Sequence, residues 1–158
     1  MNQEPIQETF PEEWKKEFEG LLYLGHLEKT VTSIPFHSFV VRTLTVNEKL
    51  QVSLITKEFV DSIGYGRAYR AAVVAAGLQS VDGRPLVPAT ININYLRQKF
   101  DYVTNGWYDG VIDVLYQEID QLESKVLIVL KELGIFEDNS NPSIFKDQES
   151  KDTPKDGK

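Results

Sequence analysis

The chain contains no cysteine. That excludes disulfides, thiolate metal ligation and a cysteine nucleophile, and it agrees with a reducing compartment. Histidine is almost as scarce, with only His26 and His37. A metal site would need both of them together with carboxylates, and they do not stand at ligand spacing, so each reads as a structural or surface residue. Positive charge is also short: 17 Lys and Arg stand against 24 Asp and Glu, a formal net charge of −7. Such a balance argues against general affinity for nucleic acid or for anionic lipid. Long apolar runs are missing as well. The run 126–130 is far too short to span a bilayer. The start Met1-Asn2-Gln3-Glu4-Pro5 lacks the basic-then-apolar layout of a signal peptide. The expectation is a soluble cytoplasmic protein without membrane or nucleic-acid partners.

What is present suits one domain. The chain has 158 residues and is 41% hydrophobic, enough for a real core. Its dominant feature is the stretch 108–133. Apolar residues recur there at Tyr108, Ile112, Leu115, Ile119, Leu122, Val126, Val129 and Leu133. Steps of four and three residues keep one seam on a single side of an α-helix. At 1.5 Å per residue this helix is roughly 40 Å long. Its first half is amphipathic, with Asp113, Gln117, Glu118, Asp120 and Gln121 off the seam. Its second half is apolar all round at Val126-Leu127-Ile128-Val129-Leu130, a pattern that expects burial on every side. Ile119, Leu122, Val126, Leu127, Val129 and Leu130 are therefore candidate binding residues, for self-association or for a partner.

The remaining elements follow from caps, breakers and periodicity. Residues 1–8 read as a flexible arm. Thr9, Pro11 and Glu12 mark a helix start, and Trp14, Phe18, Leu21 and Leu22 then share one helical face. Two strands, 29–33 and 36–44, are rich in β-branched and aromatic residues and flank the turn Ser33-Ile34-Pro35, which gives a small hairpin. Thr45-Val46-Asn47-Glu48 is a capping box. Behind it Leu50, Leu54, Ile55 and Val60 mark a helix that closes near Gly64. A third helix, 67–78, carries Ala68, Ala71, Ala72, Ala75 and Ala76, small residues that let a neighbouring helix approach closely. Asp82-Gly83 is a tight-turn signal for a short hairpin or exposed loop. A fourth helix runs from about Asn94 to Val103, with Tyr95, Leu96, Phe100 and Val103 inward, and stops at Asn105-Gly106. After Phe136 the composition turns polar, so 137–158 reads as a disordered charged tail. The fold class is α+β, mainly α: four to five helices, a small N-terminal β-hairpin and a long C-terminal helix, in a single domain over 9–136.

Site chemistry is thin. Gly64-Tyr65-Gly66 lacks the further glycines and the Lys-Ser/Thr of a phosphate loop. Asp109 and Asp113 lie one helical turn apart, and paired carboxylates can do acid–base work or hold a divalent cation. On a long helix such a pair is more often a solvated face, and Asp109 also suits the N-terminal end of the dipole. No serine or lysine sits in a nucleophile motif. No catalytic residue, cofactor or metal is expected, and the chain reads as a binding protein.

Four phrases carry a resemblance: Gly20-Leu21-Leu22-Tyr23-Leu24-Gly25-His26-Leu27, Phe39-Val40-Val41-Arg42-Thr43-Leu44, Ala68-Tyr69-Arg70-Ala71-Ala72-Val73-Val74-Ala75-Ala76 and Ser80-Val81-Asp82-Gly83-Arg84-Pro85-Leu86. In that order the chain resembles the tail assembly chaperones of long-tailed, siphovirus-type bacteriophages, over roughly residues 14 to 86. The resemblance implies a non-enzymatic role in the host cytoplasm. Such proteins coat or hold the tape-measure protein until tail-tube protein polymerises around it. Many are made in a short form and a frameshifted longer form, and this chain corresponds to the short one. The family has no active-site residues to transfer. The competing expectation is a structural tail or neck component retained in the virion, and an enzyme using Asp109 and Asp113 stands third.

Overall fold

The computed structural model describes residues 26–132. The helix expected around Trp14, the N-terminal arm and the charged tail lie outside the described residues. Within them the chain is mainly helical, with a small four-stranded antiparallel sheet and a long C-terminal helix.

The hairpin forms from β1 (Glu28–Val31) and β2 (Phe39–Arg42), in the register Glu28↔Arg42 to Val31↔Phe39. Both strands are shorter than their apolar patterns suggest, and the turn falls later, with His37 N–H bonded to Ile34 O at 3.4 Å. Phe36 takes a left-handed φ of 67° at its tip. The sheet also gains two strands beyond that hairpin. β3 (Leu78–Val81) pairs with the other edge of β2, and β4 (Arg84–Pro85) pairs with β3. Asp82-Gly83 joins those last two with φ of 51° and 75°, positive at both central residues as a tight two-residue hairpin turn requires. The Asp82 carboxylate accepts from Ser38 N–H and bonds His37 Nδ1, each at 2.8 Å. It thus ties the two hairpins together, and these bonds hold its pKa below the usual carboxylate value, His37 contributing most.

Helix α1 (Val46–Thr56) starts on the expected box: Glu48 N–H donates to Thr45 Oγ1, and Thr45 N–H donates to Glu48 Oε2 at 2.8 Å. Of the four apolar residues that mark this helix, only Ile55 turns inward. Glu48, Gln51, Val52, Ile55 and Thr56 are buried, whereas Leu50 and Leu54 are each 60% exposed and Val60, after a short 3₁₀ turn, is exposed too. The buried positions recur at steps of three and four. Val46, Leu50 and Leu54 recur every four residues on the opposite face, which no described element covers. The capping glutamate fixed the rotation: its carboxylate also pairs with buried Arg42 on β2, so the Glu48 side must face inward.

Helix α2 (Tyr65–Gly77) is the centre of the domain. It packs against α1, against α3 (Ile93–Gly106) and against α4 (Asp109–Glu132). Every residue from Ala71 to Leu78 is buried. The alanine-rich composition lets three helices approach one axis, since small side chains keep interaxial distances short. Gly77 continues that logic at the junction with β3. A Cβ there would meet Ile119 Cδ1 at 2.7 Å and the Arg42 carbonyl at 2.9 Å.

Asn92 caps α3, accepting from Asn94 N–H at 2.8 Å. Leu96, Phe100 and Val103 are buried as their spacing predicts, and Tyr95 is half-buried. Lys99 is also buried, 7% exposed, with its ammonium on the Leu78 carbonyl at 2.6 Å. The seam of α4 holds at Ile112, Leu115, Ile119 and Leu122. Tyr108 is an exception: it precedes the helix and is exposed.

Candidate binding groove

The six candidate residues of α4 divide by position. Ile119 and Leu122 belong to the contiguous core. Val129 is buried outside that core, and Val126 and Leu130 are half-buried. Leu127 is 52% exposed and the neighbouring Ile128 49%. Two of the six, Ile119 and Leu127, meet in a groove of about 350 Å³ bounded by α1, α2 and α4.

The groove is built by three helices at different depths. Val52 from α1, Val73 from α2 and Ile119 from α4 give an aliphatic floor. Tyr69 and Tyr116 form one wall, with ring centroids 6.5 Å apart and edge-on. Burial pushes the Tyr116 pKa up, reinforced by Tyr69 and Asp120 against the opposing pull of Arg70. The other wall is polar. Lys49 Nζ meets Glu123 Oε2 at 3.0 Å, while Glu123 Oε1 accepts from Leu44 N–H at 2.9 Å. Leu44 and Leu127 close that side, and Asp120 adds a second carboxylate to the edge. The result is an apolar trough with an acidic edge, fitted to hydrophobic side chains carried on a helix that has some basic flank.

A larger hollow of about 560 Å³ lies between the 3₁₀ turn, α2, α3 and the start of α4, lined by Phe59, Ala68, Phe100, Trp107 and Ile112. It contains none of the six. Arg67 and Asp109 meet there at 3.5 Å, and one turn along Arg70 meets Asp113 at 2.7 Å. The carboxylate pair considered for acid–base chemistry thus faces two guanidinium groups of α2. Among the described residues no three His, Asp or Glu side chains converge as a metal-holding group, and no helix is long and apolar enough to cross a membrane.

A second polar cluster is interior. Arg42 and Glu48 are paired in the core, Glu48 is fully buried, and Lys99 stands nearby. Burial pushes the Lys99 pKa down to about 8, with Arg42 adding to the effect and Glu48 opposing it. Two cations share one carboxylate, and Arg42 Nε and Gln51 Oε1 lack a hydrogen-bond partner.

Sequence reasoning missed Tyr69, Tyr116, Val73 and Lys49 as groove residues. Tyr69 lies among the alanines of α2, and Tyr116 directly follows a seam position, so neither breaks a pattern. Only the juxtaposition of three helices identifies them. No family model, curated protein or solved structure matches this chain.

Proposed function

We propose that this protein is a non-enzymatic tail assembly chaperone of a long-tailed bacteriophage, acting in the host cytoplasm. It holds the tape-measure protein until tail-tube protein polymerises around it. The observation that carries this reading is the trough between α1, α2 and α4, which leaves Leu127 and the neighbouring Ile128 half-exposed beside an acidic edge. A tape-measure protein is long and helical, and an amphipathic helix laid into an apolar trough is a recurring mode of recognition. The sequence resemblance over residues 14 to 86 supports the same assignment. A frameshifted longer form of the chain and self-association belong to this reading as further partners.

The test is co-expression of the full chain with segments of the phage tape-measure protein, followed by co-purification. Capture is expected for wild type and at least a tenfold loss for Leu127→Glu, with helical circular dichroism retained. Stoichiometric recovery of the protein in purified particles would replace this reading with that of a structural tail or neck component.

A further inference from the structure

The three most exposed large apolar side chains among the described residues are Ile63, Phe36 and Tyr108. Each is close, in the chain or by contact, to the larger hollow of about 560 Å³. Ile63 directly precedes the lining residue Gly64, and Tyr108 stands between two more, Trp107 and Asp109. Phe36 is linked to it through the sheet: Phe39, the first residue of β2, packs edge-on against Trp107 with ring centroids 5.4 Å apart. Single exposed apolar residues need no explanation, but a group of them beside an aromatic-lined hollow marks an interaction site. Phe36 stands out further. Its backbone is left-handed, φ 67°, a costly conformation for so bulky a residue. The tip that carries it is braced, because Asp82 holds both His37 and Ser38 N–H at 2.8 Å, and Asp82 N–H donates to Ser38 O at 2.7 Å. Glycine would hold the same turn without strain, so folding does not account for a solvated aromatic ring there.

We propose that the Phe36 ring seats in the hollow of a second copy of this chain, and that two copies exchange the contact reciprocally about a two-fold axis. The chemistry agrees. The hollow offers Phe59, Phe100, Trp107 and Ile112 to an incoming ring, and aromatic rings pack well edge-on or offset. The tip 32–38 has no titratable side chain except His37, which Asp82 engages, so it enters without stripping water from a free charge. The placement agrees as well. The Phe39–Trp107 contact sets ring and hollow side by side, and a self-complementary patch of that kind closes into a two-fold dimer. Two phenylalanine rings bury about 300–500 Å², and the linings they cover add a comparable area. With Ile63 and Tyr108 beside the hollow, the total approaches the roughly 1,000 Å² that a specific interface must clear. The dimer is accordingly reversible and not obligate. The inference stands on the hollow and the hairpin tip alone. Within the chaperone reading it gives self-association a surface that shares no lining residue with the trough.

Sedimentation equilibrium of the full chain should show a reversible monomer–dimer equilibrium. Phe36→Gly should raise the dissociation constant at least about tenfold, as loss of a central aromatic anchor does. Thermal unfolding of the dilute monomer should not fall in that variant, since a φ of 67° suits glycine. Thr104→Arg places a guanidinium at the hollow from the last turn of α3, where a helix tolerates a cation, and should weaken the dimer similarly. Leu127→Glu, in the trough, should leave the dissociation constant unchanged. A photoreactive benzoylphenylalanine at position 36 should cross-link one copy to hollow residues of the other. A strict monomer at high concentration overturns the proposal. So does a dimer indifferent to Phe36→Gly, a dimer dissolved by Leu127→Glu, or a cross-link outside the hollow. Growth beyond the dimer overturns the two-fold exchange. Capture of tape-measure segments is read separately by co-purification, so either proposal can fail while the other stands.

Discussion

Helix α2 and the C-terminal half of α4 are both rich in apolar residues, yet they meet opposite fates. Residues 71 to 76 of α2 are alanines and valines, all enclosed. Residues 126 to 130 of α4 are larger and more hydrophobic, yet Leu127 and Ile128 remain half-exposed. Hydrophobicity alone would order them the other way. Neighbours decide the outcome. The small side chains of α2 admit three helices around one axis, so each alanine is covered without contributing much area itself. The larger side chains at the end of α4 are covered unevenly by the described residues: Val129 is buried while Leu127 and Ile128 are not. A stripe of small residues here marks the centre, and a stripe of large ones marks an edge.

The comparison predicts steep penalties at the centre and shallow ones at the edge. The largest belongs to Glu48, which among the described residues is the carboxylate paired with Arg42 and acting on Lys99. Glu48→Gln keeps the shape but leaves two buried cations without a counter-charge. Removing one partner of a buried pair costs about 3–5 kcal/mol. Urea unfolding at pH 7 measures it. A loss below about 1 kcal/mol would mean that solvent already neutralises Arg42, and the interior would then be wetter than its burial suggests.

Lys99 sharpens the same point through pH. Its folded pKa, about 8, lies below the ordinary 10.5, so folding disfavours the charged form. Between those values the unfolded chain binds more protons, and stability rises with pH through that window. The penalty is fully present below about pH 8 and relieved as pH approaches 10.5. At about 1.4 kcal/mol per pH unit, the full span corresponds to about 3 kcal/mol. The stability of wild type relative to Lys99→Met should therefore improve by up to that amount between pH 7 and pH 10.5. A flat difference would place the ammonium in contact with solvent.

Ala72→Leu addresses packing directly. Ala72 is fully buried on the helix that three others share. Three extra heavy atoms force strain worth about 1–3 kcal/mol. Thermal unfolding should show a clear fall, and unchanged stability would mean that the alanine face has room that close packing denies it.

The fold was legible where a local signal determines local structure. The capping box at Thr45, the turn at Asp82-Gly83, the α4 seam from Ile112 to Leu122 and the alanine face of α2 stand as read. What remained hidden depends on partners distant in sequence. Leu50 and Leu54 mark the helix by their spacing but not its buried side, which the Glu48–Arg42 pair sets on the opposite face. Nothing in the sequence sets Lys99 apart from the other basic residues, and only the Leu78 carbonyl and the Glu48 carboxylate explain its interior place. The hairpin at Asp82-Gly83 was one of two readings of that turn, but its pairing with β2 was hidden, because β3 is four residues long and follows α2 without a loop. The groove shows the same limit. Ile119 and Leu127 were legible from the long helix, while the tyrosines that make a wall of it were not.

The smallest expected effect is at Leu127, and it tests the edge. With roughly half its surface in solvent, Leu127 contributes only part of the 1.5–3 kcal/mol of a fully buried leucine. Glutamate at this position places its carboxylate near Asp120 and Glu123, which line the same trough. Exposed like charges repel weakly in water and less still at physiological salt. Leu127→Glu should therefore lower stability by less than about 1 kcal/mol, and the remaining difference should shrink as salt is raised. The same substitution should weaken capture of an apolar helix face in the trough, because an uncompensated carboxylate cannot be covered without a desolvation penalty. A stability loss as large as that of Ala72→Leu would move Leu127 from the edge to the core. The contrast between the two helices would then rest on side-chain size alone.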